Sequence, residues 1–242
     1  MNMRTILKIS GILMIIGFAI ACASQKGQQK QEEGFVSLFD GKTTTEWRGY
    51  NQEAFPVKGW VVEDGTLHVL GSGKGEAGGG GDIITKKKYR NFELSLEWKV
   101  SEGANSGIFY LAQEKPDQPI WKSAPEMQIL DNEKHPDAKL GVDGNRMAGS
   151  LYDLIPGKPK AVKPAGEWNQ VKIMVYKGTV VHWVNGVNVL EYHLWTPEWK
   201  EMCANSKFKD FTDFVNTAEE GYIGLQDHGD DVWFRNIKIK EL

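Results

Sequence analysis

The sequence predicts an all-β sandwich, and three observations carry that prediction. Apolar and polar residues alternate with the period of two that separates the faces of a half-buried strand. The pattern is cleanest in residues 91–100 (NFELSLEWKV), where Phe92, Leu94, Leu96, Trp98 and Val100 oppose Glu93, Ser95, Glu97 and Lys99. About a dozen such short runs are divided by regular turn signals, the signature of a sandwich rather than of strand–helix units. Only one segment reads as a helix.

Taken in order, folded sequence starts at residues 35–39 (FVSLF), ahead of the turn at Asp40-Gly41 and Trp47. Residues 59–63 and 66–70 form a hairpin around Asp64-Gly65, a pair that tolerates the positive φ values of a tight turn. Residues 71–82 (GSGKGEAGGGGD) hold seven glycines. A phosphate-cradling loop would lead into a helix, whereas Ile83-Ile84-Thr85 read as strand, so this stretch is expected to be a mobile surface loop. Runs at 107–113 and 126–130 bracket a loop rich in Pro, Asp and Lys. Residues 168–176, 179–184 and 187–192 form a meander, with Asn185-Gly186 between the last two. Thr196-Pro197-Glu198 combines a capping threonine, a first-turn proline and an acid, predicting a helix over 197–206 that packs Trp199, Met202 and Cys203. A polar, aromatic-spiked loop over 207–220 precedes the last strands, 222–226 and 232–239. The segments 35–39 and 234–239 are expected to lie side by side, giving one domain over 35–242.

Composition limits the possible functions. Forty per cent hydrophobic residues and nine tryptophans suffice for a large core, and a net charge of −3 leaves no basic surplus for nucleic acid. Residues 1–22 read as a signal peptide: Arg4 and Lys8 precede an apolar run over 9–20, and the segment ends in a lipobox-like AIAC with Cys22 as the lipidated residue. Ala19 stands where such boxes usually carry Leu. The apolar run is short for a membrane span. Residues 23–34 (ASQKGQQKQEEG) form a flexible tether. The expected location is therefore the bacterial cell envelope, with the membrane touched only through a lipid anchor. Cys203 is left as a lone, buried thiol.

Within 126–130, Glu126, Gln128 and Leu130 share one strand face. An acid beside an amide is unusual there, since Glu is mildly disfavoured in strands; a solvated face and an active site both fit. Glu97, Asn105, Ser106, Asp131, His182, Asp227, His228 and Arg235 are the other polar residues, at strand faces or ends, that do not read as simple surface. No G-x-S-x-G or H-E-x-x-H motif occurs, and the histidines are scattered. No organic cofactor is evident, while a divalent metal ion held by Glu126, Asp131 and a histidine is compatible with these residues. A carbohydrate site fits better, because sugars bind through planar carboxylates and amides combined with aromatic faces. Sandwich glucanases of the concanavalin type place acids as E-x-D-x-E, but this strand reads Glu126-x-Gln128-x-Leu130. Retaining hydrolysis by two carboxylates about 5 Å apart is not supported by it.

Several ordered stretches, LFDGKTTTEWRG, NSGIFYL, EMQILD, GSLYDL, GEWNQVKI, VVHWVNGVNVLEYHLWTPEW, SKF and GYIGLQDHGDDVWFRNIKIKEL, resemble the 3-keto-disaccharide hydrolase family over nearly all of 35–242. The resemblance implies a concanavalin A-like jelly-roll sandwich, lipoprotein or secreted status, and cleavage of glycosides oxidised at C3. A C3 ketone acidifies the C2 proton, and the glycosidic oxygen on C1 is then β to the carbanion. Proton abstraction, elimination and addition of water to the enone cleave the bond with one base, one acid and one enolate stabiliser. On this reading His228 or Glu126 is the base, with Asp227 orienting His228. The other of the two, or Asp131, is the acid. Arg235 and Gln128 contact the enolate and hydroxyls, Asn105 and Trp183 shape the sugar site, and Glu97 completes the substrate-binding set. A non-catalytic lectin-like module and a conventional glycosidase on the same sandwich are the competing readings.

Overall fold

The computed structural model describes residues 33–73 and 79–242. Among them thirteen strands are formed: β1 Val36–Ser37, β2 Trp47–Gly49, β3 Trp60–Glu63, β4 Thr66–Val69, β5 Ile83–Thr85, β6 Phe92–Val100, β7 Asn105–Ala112, β8 Glu126–Leu130, β9 Asn169–Tyr176, β10 Thr179–Val184, β11 Val187–His193, β12 Tyr222–Leu225 and β13 Val232–Glu241. The expected signal peptide, Cys22 and most of the expected tether lie outside the described residues.

The strands build two antiparallel sheets. The larger runs β11-β10-β9-β6-β13-β4-β3, with β1 also on β13, and the smaller runs β2-β5-β12-β7-β8. Alternation explains the layering. In β6 Phe92, Leu94, Leu96, Trp98 and Val100 are buried, while Glu93, Glu97 and Lys99 are partly exposed on the other face. They meet Ile108, Tyr110, Met127, Ile129, Ile223 and Leu225 of the smaller sheet in one core. The turns form as their residues require: Asp64 and Gly65 have φ of 46° and 74°, and Asn185 and Gly186 of 48° and 82°. Val36 and Ser37 pair with Ile239 and Lys238, so the two terminal segments are neighbours.

Two α-helices occur among the described residues, where the sequence predicts one: α1 Pro197–Ala204 and α2 Thr212–Val215. Thr196 caps α1 by accepting from the Trp199 N–H at 3.1 Å. The helix stops at Ala204, with Asn205 as its C-cap, two residues short of the expected end. Helix α2 lies inside the predicted loop because tertiary packing overrides its polar composition. Tyr192, Trp199, Phe214 and Phe208 form a continuous ring stack with centroid spacings of 5.6, 5.6 and 4.0 Å. That stack fastens residues 195–215 to the sandwich. Cys203 is fully buried beside it, and burial pushes its thiol up to about 12.

Candidate active site

The outer face of the smaller sheet carries a cavity of about 520 Å³, lined by Asp82, Asn105, Trp121, Glu126, Gln128 and Tyr152, by Lys207, Phe208 and Phe211, and by Gln226, Asp227 and His228, with Pro119 at its edge. Strand register explains how distant residues converge. Gly224 pairs with Ile84 and with Phe109, and Phe109 with Glu126, which makes one row across the sheet. One step along, Gly107 pairs with Gln128 and accepts the Gln226 N–H at 3.0 Å. Asp82, immediately before β5, continues that row. Because side chains alternate, Met127 and Ile129 point into the core while Glu126 and Gln128 point into the cavity. Gly107 leaves room for the Glu126 side chain as it stands, since a β-carbon there would lie 2.1 Å from Glu126 Oε1 and displace it.

Polar groups in the cavity are held without partners. Asn105 Oδ1, Gln128 Oε1 and His228 Nδ1 are buried and make no hydrogen bond among the described residues. Such groups normally cost about 1–3 kcal/mol each, and three converging on one cavity fit a site whose ligand supplies the missing bonds. The Glu126 side chain is 7% exposed and bonds no donor among the described residues. Desolvation pushes its carboxyl up to about 8; the Lys207 charge opposes this, while Asp82 and Asp137 add to it. Asp82 rises to about 7 through burial, despite accepting the Asp227 N–H at 3.0 Å. One wall is aromatic: Trp121 meets Phe211 edge-on at 5.3 Å. Tyr152 is fixed by its hydroxyl, which donates to Asp137 Oδ2 at 3.0 Å, and Asp137 also accepts from Arg146.

At the polar end, His135, His228 and Asp230 offer ligand atoms that all lie within 4.8 Å of one another. His135 caps a short 3₁₀ turn through Nδ1, which accepts from the Asp137 N–H, leaving Nε2 for a ligand. Two imidazoles and a carboxylate form a donor set suited to a transition-metal dication. This is not the set expected from the sequence, because Asp131 is committed elsewhere.

Five of the sequence-based assignments need correction. Asp131 is buried and lies outside the cavity: Oδ2 accepts from the Gly103 N–H at 2.7 Å, and Oδ1 from Glu133 and Lys134 at 3.0 and 3.3 Å. It shapes a turn. Asp227 does not orient His228: its carboxylate accepts from the N–H groups of Gly80, Gly81 and Gly229, which pins the described end of the glycine-rich loop to the cavity rim. Arg235 and Glu97 pair with each other at 2.7 Å on the outer face of the larger sheet, with Arg235 over Trp168 at 3.9 Å. Trp183 lies on that same face under Lys172. The sandwich separates this face from the cavity. His182 is buried in the core, where it bonds the Tyr110 hydroxyl at 2.9 Å.

The structure brings together Asn105, Glu126, Gln128, Asp227 and His228, and adds Asp82, Tyr152, Lys207 and Gln226, to which sequence reasoning gave no role. Asp82 is masked by the glycine run before it. Tyr152 and Lys207 fall in GSLYDL and SKF, motifs that marked the family without indicating a task.

A jelly-roll sandwich with an aromatic-walled, carboxylate-bearing cavity on one sheet belongs to the carbohydrate-active class. Residues 34–240 match the model of the 3-keto-alpha-glucoside-1,2-lyase-like domain, and the chain belongs to that family. A protein from Bacteroides thetaiotaomicron named 3-keto-disaccharide hydrolase is 54% identical over 230 residues, covering 87% of this chain and 79% of the relative. A crystal structure from Parabacteroides distasonis, of a protein assigned to the glycosyl hydrolases, superposes with a TM-score of 0.77 at 34% identity, over 87% of this chain and 94% of the other. The carbohydrate-binding module CBM66 from Bacillus subtilis shares the fold alone, at a TM-score of 0.50 and 10% identity, over 81% of this chain and 96% of the module.

Proposed function

We propose that this protein cleaves the glycosidic bond of 3-keto-disaccharides and related 3-keto-glycosides, with Glu126 removing the C2 proton. The observation that carries the assignment is the Glu126 carboxyl itself: it is desolvated, free of protein donors, and set among unpartnered amide groups in a cavity sized for a sugar. A carboxylate whose proton affinity is raised toward neutrality is the better base for a carbon acid at that pH. Gln128 and Asn105 would bond the sugar hydroxyls. His228 faces the end of the cavity where the C3 oxygen would gather charge. A second reading of that end rests on the His135, His228 and Asp230 triplet: a divalent cation bound there would supply Lewis-acid stabilisation of the enolate, and EDTA would then abolish turnover.

The test is incubation with 3-keto-trehalose or a 3-keto-glucoside, followed by product analysis, for the wild type and for Glu126→Gln and His228→Ala. The expected result is consumption of the 3-keto substrate, with each variant slower by more than about 100-fold. Binding of unoxidised glycans without consumption would leave a lectin. Release of nitrophenol from unmodified glycosides would leave a conventional glycosidase. The proposal also places the protein at the bacterial cell envelope through a lipid on Cys22, supported by the AIAC sequence. Radiolabelled palmitate should enter the wild-type chain and not Cys22→Ser.

A further inference from the structure

We propose that Lys207 is the acid catalyst of this reaction, protonating the glycosidic oxygen as the C1–O bond breaks. This rests on the elimination reading above. Lys207 stands where the carboxylate floor meets the aromatic wall: Nζ lies 4.0 Å from the Tyr152 ring centre and 5.2 Å from that of Phe208. Trp121 and Phe211 continue the wall. With its C2 proton at Glu126 and its C3 oxygen toward His228, as proposed above, a bound sugar would present C1 toward this junction, with its aglycone along the aromatic rings. Lys207 is exposed at the rim, so a bound aglycone would cover it.

Other cations around the cavity are already engaged. Arg146 pairs with Asp137 and Asp153, whereas Lys207 forms no ion pair among the described residues. Protein crowding lowers its affinity for a proton, and nearby Arg146 contributes in the same direction against Asp153, Glu126 and Asp137. Its position is not left to a flexible loop, because the adjacent Phe208 ends the ring stack that anchors α1 and α2.

The step balances. Glu126 takes the proton from C2, the electron pair forms the C1–C2 double bond, the C1–O bond breaks, and the Lys207 ammonium passes a proton to the departing oxygen. Lys207 is then a neutral amine and Glu126 a neutral acid. Addition of water reverses both roles: the amine takes a proton from water attacking C1, and the acid returns a proton to C2.

Leaving-group dependence tests this. Lys207→Met should slow cleavage of a 3-keto-disaccharide by more than about 100-fold, because an alkoxide is a poor leaving group unless protonated. The same variant should slow 4-nitrophenyl 3-keto-glucoside by less than about 5-fold, since nitrophenolate needs no proton. Exchange of the C2 proton in D₂O should persist in the variant. Equal losses on both substrates, or none on either, would overturn the proposal. Trapping of a substrate adduct on Lys207 by borohydride would overturn it too, making the lysine an imine-forming nucleophile. Should Lys207→Met not fold, Lys207→Arg keeps the charge without a releasable proton and must show the same split. Failure of the wild type to consume either substrate would defeat the elimination reading instead.

Discussion

Replacing Glu126 by Gln should inactivate the enzyme and stabilise it, and the stabilisation should grow with pH. Glu126 is 7% exposed, and its carboxyl is displaced from the ordinary 4.5 to about 8. In the unfolded chain the group ionises at about its ordinary value, so between pH 4.5 and 8 the unfolded state binds fewer protons than the folded one. Stability is therefore fully present below pH 4.5, falls as pH rises, and levels off above about 8. Each pH unit across that window is worth about 1.4 kcal/mol, which sets a ceiling of about 5 kcal/mol. Water in the open cavity relaxes the charged form, so about 2–3 kcal/mol is the expected penalty at pH 9. Glutamine has the shape of the protonated acid and carries no such penalty. Urea unfolding of both proteins at pH 5 and pH 9 measures the effect: the midpoints should nearly coincide at pH 5 and separate at pH 9, the variant being the more stable. Equal separation at both pH values would refute the idea that the carboxyl is desolvated, and with it the argument that Glu126 is tuned as a base.

Other consequences are equally specific. Gly107→Ala forces a methyl group to within 2.1 Å of Glu126 Oε1; turnover should fall by more than about 10-fold, with a stability loss of about 1–3 kcal/mol from overpacking, read by kinetics and urea melts. Asp131→Ala removes the acceptor of three backbone N–H groups and should cost about 1–3 kcal/mol while turnover of the folded protein stays near that of the wild type. A synthetic 1,2-unsaturated 3-ketone should be hydrated by the wild type and much more slowly by Glu126→Gln, because water addition uses the same carboxyl in reverse; this is followed by loss of the enone absorbance.

Much of the fold was legible because local and global signals agree. The alternation of β6, the Asp64-Gly65 and Asn185-Gly186 turns and the Thr196-Pro197 cap each encode their structure within a few residues. Helix α2 was not legible, since it depends on Phe208 and Phe214 finding Trp199 in three dimensions. The site divides in the same way. Glu126 and Gln128 were visible as an odd pair on one strand, and Asn105 and His228 as polar residues at strand ends. Asp82 and Lys207 were not, because only the register of β5, β12, β7 and β8 and the ring stack bring them to the cavity. The assignments that needed correcting share a cause. Asp131 and Asp227 are acids among turn residues, where backbone N–H groups compete for a carboxylate. Glu97, Arg235 and Trp183 sit on strands whose outer face sequence alone could not distinguish from the outer face of the opposing sheet.

The lone acid on β8 also bears on why the family model is named for a lyase and the relative from Bacteroides thetaiotaomicron for a hydrolase. Two carboxylates close together are needed when the glycosidic bond breaks through an oxocarbenium-like state, where one must attack or activate water as the other donates. A ketone at C3 replaces that state by an enolate, whose charge is shared between C2 and the C3 oxygen. The demand on the protein shifts from a second carboxylate to a base of raised proton affinity and to donors around the C3 oxygen. The smaller sheet supplies such an arrangement, with a desolvated Glu126 over Gly107 and the His135, His228 and Asp230 end nearby. Elimination and hydration then pass through one enone and the same groups in opposite directions. On the elimination mechanism proposed above, lyase and hydrolase outcomes share the first step and would differ only in whether the enone is hydrated before it leaves the cavity.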